Sequence, residues 1–373
     1  MFAYIIRRIF ATIPVMAVVA LFVFSLLYIA PGDPAAVIAG DQATPADVER
    51  IRESLGLDRP YLVRFGEWVW NILNGDMGVS IFTNLPVTTM IKQRVEPTLS
   101  LMVLTLILAV SIAVPMGVTA AWKSGTPPDA AWGKRALMVL LAFPVGVAAL
   151  VFGGLRFMDE VSVLPLIIWT LMWGATFVTC AWKAGPMFDK IIMGFGVLGF
   201  SIPVFVVGYL LAYVFALELD WLPVQGYTAF KEGFFPWLEN LILPAIALGG
   251  VYIALIARIT RATMLEVLQQ DYVRTAKAKG VGQSSILFLH ALKNAAVPIV
   301  TVIGIGMALL IGGAVVTESV FAIPGLGRLT VDAILRRDYP VIQGVVLLFS
   351  FIYVLVNLLI DVLYTLFDPR IRY

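Results

Sequence analysis

The chain has 373 residues, of which 60% are hydrophobic and 13% charged, and its mean hydropathy is +0.94. Soluble domains carry about 25% charged residues, so the composition excludes an ordinary soluble fold, and a net charge of +2 gives nucleic acid no electrostatic reason to bind. The lone Cys180 and lone His290 exclude a disulfide framework and a cysteine metal cluster, and they leave few routes to acid–base or metal catalysis.

A membrane-spanning helix needs about 20 mostly apolar residues. Eight segments meet that standard, at 9–30, 98–121, 136–155, 162–182, 191–217, 240–257, 298–317 and 341–360. Proline and glycine recur inside them, as at Pro14, Pro115, Pro144, Pro203, Pro244 and Gly304. Packed membrane helices accommodate both, because neighbours satisfy the freed backbone groups. The expected fold is therefore an all-α polytopic membrane protein. Arg7 and Arg8 before the first span place the N-terminus inside. An even count returns Arg370 and Arg372 to the same side, together with the basic loops Lys123–Arg135, Lys183–Lys190 and Arg258–Lys293. The first apolar run exceeds the roughly 7–15 residues of a signal-peptide core, and is read as a permanent helix.

Residues 31–97 form the largest expected outer segment. Thr44 is placed to cap a helix that starts at Pro45, with Asp47 in its first turn and Gly56 at its close. In a second helix from about Pro60, Tyr61, Phe65, Trp68 and Ile72 share one face. That face suits either a cap lying on the membrane or a landing surface for an outer partner. Asp33, Asp41, Asp47 and Glu49 read as a solvated face rather than a metal site.

No ionisable residue lies deep in a span; Glu218, Glu239, Glu318 and Asp361 fall at span ends. Proton-coupled transport ordinarily needs such groups at depth, so the driving force has to come from elsewhere. The chain has no phosphate-binding glycine loop followed by Lys-Ser/Thr to supply it. Gly304 and Gly306, inside an apolar span, read as close helix packing, and Asn357 reads as a helix–helix hydrogen bond. An enzyme is not expected, nor any cofactor.

The stretch DYVRTAKAKGVGQSSILFLHALKNAAVP, from Asp271 to Pro298, is a basic island between apolar segments. Tyr272, Thr275, Ala276 and Lys279 share a helical face, and Gly280 breaks the helix. A second helix is expected from about Ser284 to Ala296, ending at Pro298. Taken alone, this hairpin suits anionic lipid or a soluble docking partner equally well.

RTAKAKG, Arg274 to Gly280, resembles the EAA loop of ABC-transporter permeases, in the first-permease branch of the dipeptide/oligopeptide-type family. HALKNAAVP (His290–Pro298) continues the pattern. Further matching blocks are IIRRIFATIPV near the N-terminus, APGDP (30–34), LGLDRPY (55–61), NGDMGVS (74–80), RVEPTLSL (94–101), LPVQGY (222–227), ESVFAIPGLGRL (318–329), RRDYPVIQGVVLL (336–348) and the closing DPRIRY. The resemblance covers the chain except about 128–188. It implies a type I ABC importer membrane fold and one half of a pore, with no catalytic residue of its own. The implied partners are a homologous second permease, two cytoplasmic ATP-binding subunits, and a periplasmic or lipoprotein substrate-binding protein, all in the bacterial inner membrane system and in contact with membrane lipid. It further implies that Asp271, Tyr272, Arg274, Thr275, Ala276, Lys277, Ala278, Lys279, Gly280, His290 and Asn294 form the ATPase-coupling loop.

Arg328, Arg336 and Arg337 are candidates to dock the binding protein, against an alternative in which they pair with Asp332 and Asp338 of their own loop. Peptides are the implied substrate, with nickel chelates or glutathione-like peptides as alternatives. An ion-coupled secondary transporter and a non-transporting scaffold are the competing classes. The expected organisation is a tail and first span (1–30), an outer segment (31–97), a second span with its inner loop (98–127), an inserted two-span hairpin (128–188) and a core (189–373) carrying the coupling loop at 263–298. Six-span relatives lack that hairpin. It is flanked by AAWKSG (120–125) and CAWKAG (180–185), with Asp129 and Asp189 at equal offsets. Duplication is one reading; aromatic and basic residues at a membrane edge is the simpler one.

Overall fold

The computed structural model describes residues 2–29, 35–36, 44–54, 58–126, 131–139, 172, 175–176, 178–180 and 182–367. Among them there is no β-strand, only an isolated bridge between Val79 and Pro86. In chain order the helices are α1 (Phe2–Ile29), α2 (Pro45–Ser54), α3 (Tyr61–Leu73), α4 (Val87–Ser124), α5 (Pro186–Ser201), α6 (Val204–Leu211), α7 (Phe234–Leu268), α8 (Asp271–Ala278), α9 (Leu292–Val320), α10 (Leu326–Arg336) and α11 (Tyr339–Phe367). Wider π-helical turns, Ala212–Glu218 and Ser285–Ala291, continue α6 and lead into α9.

Five helical stretches are long and apolar enough to cross a membrane: Ile6–Leu27, Val87–Ser124, Phe234–Leu268, Ser285–Val320 and Tyr339–Tyr364. They match five of the eight expected spans. The expected spans at 136–155 and 162–182 fall largely outside the described residues. Helix α4 has 38 residues, about 57 Å at 1.5 Å per residue, against a hydrocarbon core of about 30 Å. The helix is therefore longer than the hydrocarbon core is thick.

The expected single span at 191–217 is divided. Helix α5 ends at Ser201, Ile202 is a bend, and α6 starts after Pro203. Proline disfavours helical backbone in the residue before it, and Ser201, Ile202 and Pro203 are all exposed in this chain, so no packing overrides that preference. Pro298 does the opposite: α9 runs through it, where the sequence suggested an end. Ala295 and Ile299, on either side, are both buried in one apolar cluster, and that packing holds the helix across the missing hydrogen bond.

The chain forms two compact units. The first comprises 1–100, 314–319 and 323–373. In it the aromatic face of α3 closes on α1, with the Phe24 ring centroid 5.3 Å from Tyr61, 5.5 Å from Phe65 and 5.4 Å from Trp68. Ser25 and Tyr61 share a 2.7 Å hydrogen bond. The face expected to serve as a cap or a landing surface is thus largely used within the chain. Val87, Ile91, Leu326, Leu329, Ala333, Val341 and Val345 form a buried core joining α4, α10 and α11.

The second unit comprises 101–313 and 320–322. Its core gathers Val118 and Ala121 of α4, Met264 of α7, Leu287 and Ala291 of the π turn, and Ala295 and Ile299 of α9. Helices α4 and α7 approach so closely that a Cβ on Gly117 would lie 2.6 Å from Thr260 Cβ and 2.7 Å from the Ala257 carbonyl. Small residues permit such contacts, which dispersion forces stabilise where water exclusion cannot. Gly306 likewise lies against the Tyr252 ring, as helix packing requires. Asn357, expected to bond a neighbouring helix, donates to the Tyr353 carbonyl of its own helix at 2.9 Å.

Candidate functional site: a basic hairpin and a clamped loop

The 271–298 hairpin sits on the apolar cluster of the second unit. Helix α8 buries one residue, Val273, at 0% exposure, while Asp271, Tyr272, Arg274, Thr275, Lys277, Ala278 and Lys279 are exposed and Ala276 half-buried. Its end is set by backbone geometry. Gly280 has φ +76°, its N–H donates to the Lys277 carbonyl at 3.0 Å, and Val281 N–H donates to the Ala276 carbonyl at 3.1 Å. This nested pair is a Schellman motif, which places its glycine in left-handed backbone. Nothing lies within 4 Å of a Cβ built on Gly280, so the demand on this position is purely conformational.

The Asn294 amide donates to the Tyr272 hydroxyl at 3.0 Å, tying α8 to the start of α9. Burial pushes the Tyr272 phenol above its usual pKa, an effect the Asn294 bond partly offsets; the phenol therefore stays neutral at physiological pH. Arg274 meets Asp271 at 3.5 Å, with both side chains largely exposed, a pairing worth little. His290 is half-buried in the π turn. The hairpin thus presents Arg274, Lys277 and Lys279 outward on a rigid base.

Ten residues before α8, Arg261 grips Asp189 through two parallel hydrogen bonds, Nε to Oδ1 and Nη2 to Oδ2. Asp189 opens the first turn of α5 and is buried. Sequence alone marked Asp189 only as a possible trace of duplication. Its partner lies 72 positions away, and no local pattern announces it.

In the first unit, the 318–339 loop is organised by two buried carboxylates. Glu318, expected at a span end, is completely buried. Its Oε1 accepts from the Thr98 hydroxyl at 2.6 Å and its Oε2 from Arg328 N–H at 2.9 Å. Thr98 in turn accepts from Leu326 N–H at 2.8 Å. An anion facing the free N–H groups of the first turn of α10 stabilises that helix start. The carboxylate leaves no room for a side chain at Gly325 or Gly327, since a Cβ at either would collide with it. At the far end of α10, Asp338 is held by the Ser80 hydroxyl at 2.5 Å and Ile81 N–H at 3.3 Å.

These bonds bear on the three arginines of the loop. Asp338 is occupied by neutral donors rather than by Arg336 or Arg337. Among the described residues, no carboxylate lies within ion-pair distance of Arg328, Arg336 or Arg337, and all three are exposed. Arg337 holds left-handed backbone, φ 58°, at the C-terminus of α10. Arg94 and Arg336 also edge a cavity of about 110 Å³ beside Asp332 and Asp338. No group of acidic, histidine or cysteine residues suited to a metal occurs among the described residues.

Comparison with known proteins decides the family. Residues 178–373, which include both the hairpin and the loop, match the model described as binding-protein-dependent transport system inner membrane component. The chain belongs to that family. Residues 1–102 match the family's N-terminal companion model, leaving 103–177 between the two matches. Relatives similar over essentially their whole length include a probable peptide ABC transporter permease protein of Sinorhizobium fredii, 48% identical with 99% of each chain covered. A putative peptide transport system permease protein of Brucella abortus is 39% identical, covering all of both chains. A glutathione transport system permease protein of Pectobacterium atrosepticum is 37% identical, again covering all of both. This inner membrane component is accordingly an all-helical, multi-pass membrane protein with the type I ABC importer membrane fold.

Proposed function

We propose that the chain is the permease subunit of an ATP-driven peptide importer, forming half of a translocation pore with a homologous second permease. Two cytoplasmic ATP-binding subunits supply the energy and a binding protein delivers the substrate. The observation that carries this reading is the 271–298 hairpin: an exposed basic helix, ended by a left-handed glycine and seated on a buried apolar cluster. Such an element is built to receive force from a soluble partner and pass it to α4, α7 and α9. Closure of the ATP-binding pair would move α8, and the helices would alternate between inward-open and outward-open arrangements. The chain itself performs no hydrolysis.

The peptide substrate is supported by the relatives from Sinorhizobium and Brucella, both named for peptide transport. Glutathione, itself a peptide, is the second reading, favoured by the name of the Pectobacterium relative. The complex reconstituted in vesicles is expected to take up labelled dipeptide or glutathione only with ATP, and to ignore dissipation of proton and sodium gradients. Uptake that follows an ion gradient without ATP would overturn the reading.

The 318–339 loop is the proposed docking surface for the binding protein, through Arg328, Arg336 and Arg337. Reversing two of these charges, Arg336→Glu with Arg337→Glu, is expected to weaken capture of the loaded binding protein at least tenfold at low salt. Basal ATP hydrolysis should be unchanged. Each exposed contact is worth about 1 kcal/mol or less, so the loss comes mainly from repulsion and slower encounter. Capture that is insensitive both to the reversal and to salt would place docking elsewhere.

A further inference from the structure

Three segments of the second unit bring cations and tryptophans together at one place. Lys123 ends α4, Trp132 and Arg135 lie in the helical stretch 131–139, and Trp182 and Lys183 lead towards α5. The Lys123 ammonium stands 4.4 Å from the Trp182 ring centroid and 5.0 Å from that of Trp122. The two indoles meet edge to face at 6.2 Å. Arg135 and Lys183 both lie on Trp132, at 4.5 and 4.2 Å, so these two cations can be no further apart than the sum of those distances. Among the described residues, no carboxylate forms an ion pair with Lys123, Arg135 or Lys183. The acid nearest Lys183 along the chain, Asp189, is already held by Arg261.

Three like charges drawn together, with no carboxylate paired to them among the described residues, repel, and indole faces only partly compensate them. The depth of the cluster indicates what completes it. Lys123 closes a helix apolar enough to span the bilayer. Tryptophan and lysine at such a boundary occupy headgroup level, where the phosphates of lipids lie. A zwitterionic headgroup brings its own cation and would leave the excess charge in place; an anionic headgroup removes it. Lysine ammoniums and the arginine guanidinium supply donors for phosphate oxygens.

We propose that Lys123, Arg135 and Lys183, framed by Trp122, Trp132 and Trp182, form a binding site for the phosphate of one anionic phospholipid. The site lies at the foot of the 128–188 segment. The lipid would tie that foot to the ends of α4 and α5 without a protein contact, and the assignment does not depend on the proposed transport cycle.

The test uses the full-length chain in nanodiscs of phosphatidylcholine, with or without phosphatidylglycerol, and native mass spectrometry of the lipid retained on extraction. Wild type is expected to retain phosphatidylglycerol in preference to phosphatidylcholine. The triple variant Lys123→Gln, Arg135→Gln, Lys183→Gln should lose at least tenfold of that preference. Lys123→Arg with Lys183→Arg should keep it, as should the control pair Lys92→Gln and Lys231→Gln. Should the triple variant fail to insert, the three single substitutions carry the same readout, each with a partial loss. Brominated phosphatidylglycerol is expected to quench tryptophan fluorescence in wild type, and to quench it less once Trp122, Trp132 and Trp182 are phenylalanine. Displacement by excess inorganic phosphate would show that a free anion, not a lipid, fills the site. Equal retention of the two lipids by wild type, or an unchanged preference in the triple variant, would overturn the proposal.

Discussion

Gly280→Val is expected to cut stimulation of ATP hydrolysis by loaded binding protein about tenfold or more, while leaving membrane insertion and assembly of the complex intact. The glycine holds φ +76° in the turn that ends α8, and both hydrogen bonds of that turn need the left-handed backbone. An ordinary L-residue adopts it at a cost of about 1–2 kcal/mol, and a β-branched residue at more. Because about 1.4 kcal/mol is a factor of ten in population, valine should deplete the proper hairpin by at least that factor. No side chain is displaced, since the space around the Cβ position is empty. The apolar cluster beneath should therefore remain, and with it the fold. Gly280→Asn is the control: asparagine tolerates left-handed backbone and should keep most of the stimulation. Wild-type stimulation in the valine variant would remove the hairpin from the coupling path.

Glu318→Ala should produce the complementary defect, loss of capture and uptake with basal hydrolysis preserved. The substitution strips the acceptor from the Thr98 hydroxyl and from Arg328 N–H, inside a site with no access to water. A buried donor left unsatisfied costs about 1–3 kcal/mol, so the two together cost several. The start of α10 should come loose, carrying Arg328, Arg336 and Arg337 out of register. Protease is then expected to cut within 321–339 faster than in the wild type. Glu318→Gln should be milder, because its amide oxygen still accepts while its NH2 group faces donors. Unchanged uptake and protease resistance in the alanine variant would show that the carboxylate does not hold the loop.

The two glycines beside Glu318 carry the same lesson about what can be read in a linear chain. The block from Glu318 to Leu329 was recognisable as a block, but the reason for its glycines was not. Gly325 is small because a carboxylate seven positions earlier has folded back on it, and Gly327 because the Val315 backbone and that same carboxylate crowd it; the carboxylate also needs Thr98, from a distant helix. Asp189 is similar: its role appears only when Arg261 arrives beside it. Pro203 and Pro298 are chemically identical interruptions, yet one breaks a span and the other lies within a continuous helix. What separates them is the surroundings, an exposed bend in one case and buried flanking residues in the other.

What the sequence determined by itself follows from local rules. Long apolar runs must satisfy their backbone groups internally, so helices follow from composition alone. A glycine after a polar amphipathic helix marks its end, so the break at Gly280 was visible, as was the basic character of the hairpin. The tertiary structure decided everything that needs two distant residues to meet. It decided that α3 spends its aromatic face on Phe24, that Asp338 bonds to Ser80 rather than to the arginines beside it, and that Lys123 shares two tryptophans from separate segments. The physical reason is that a buried charge or donor must find a partner, but any of many residues of the right type could serve. Only folding selects which one is within reach.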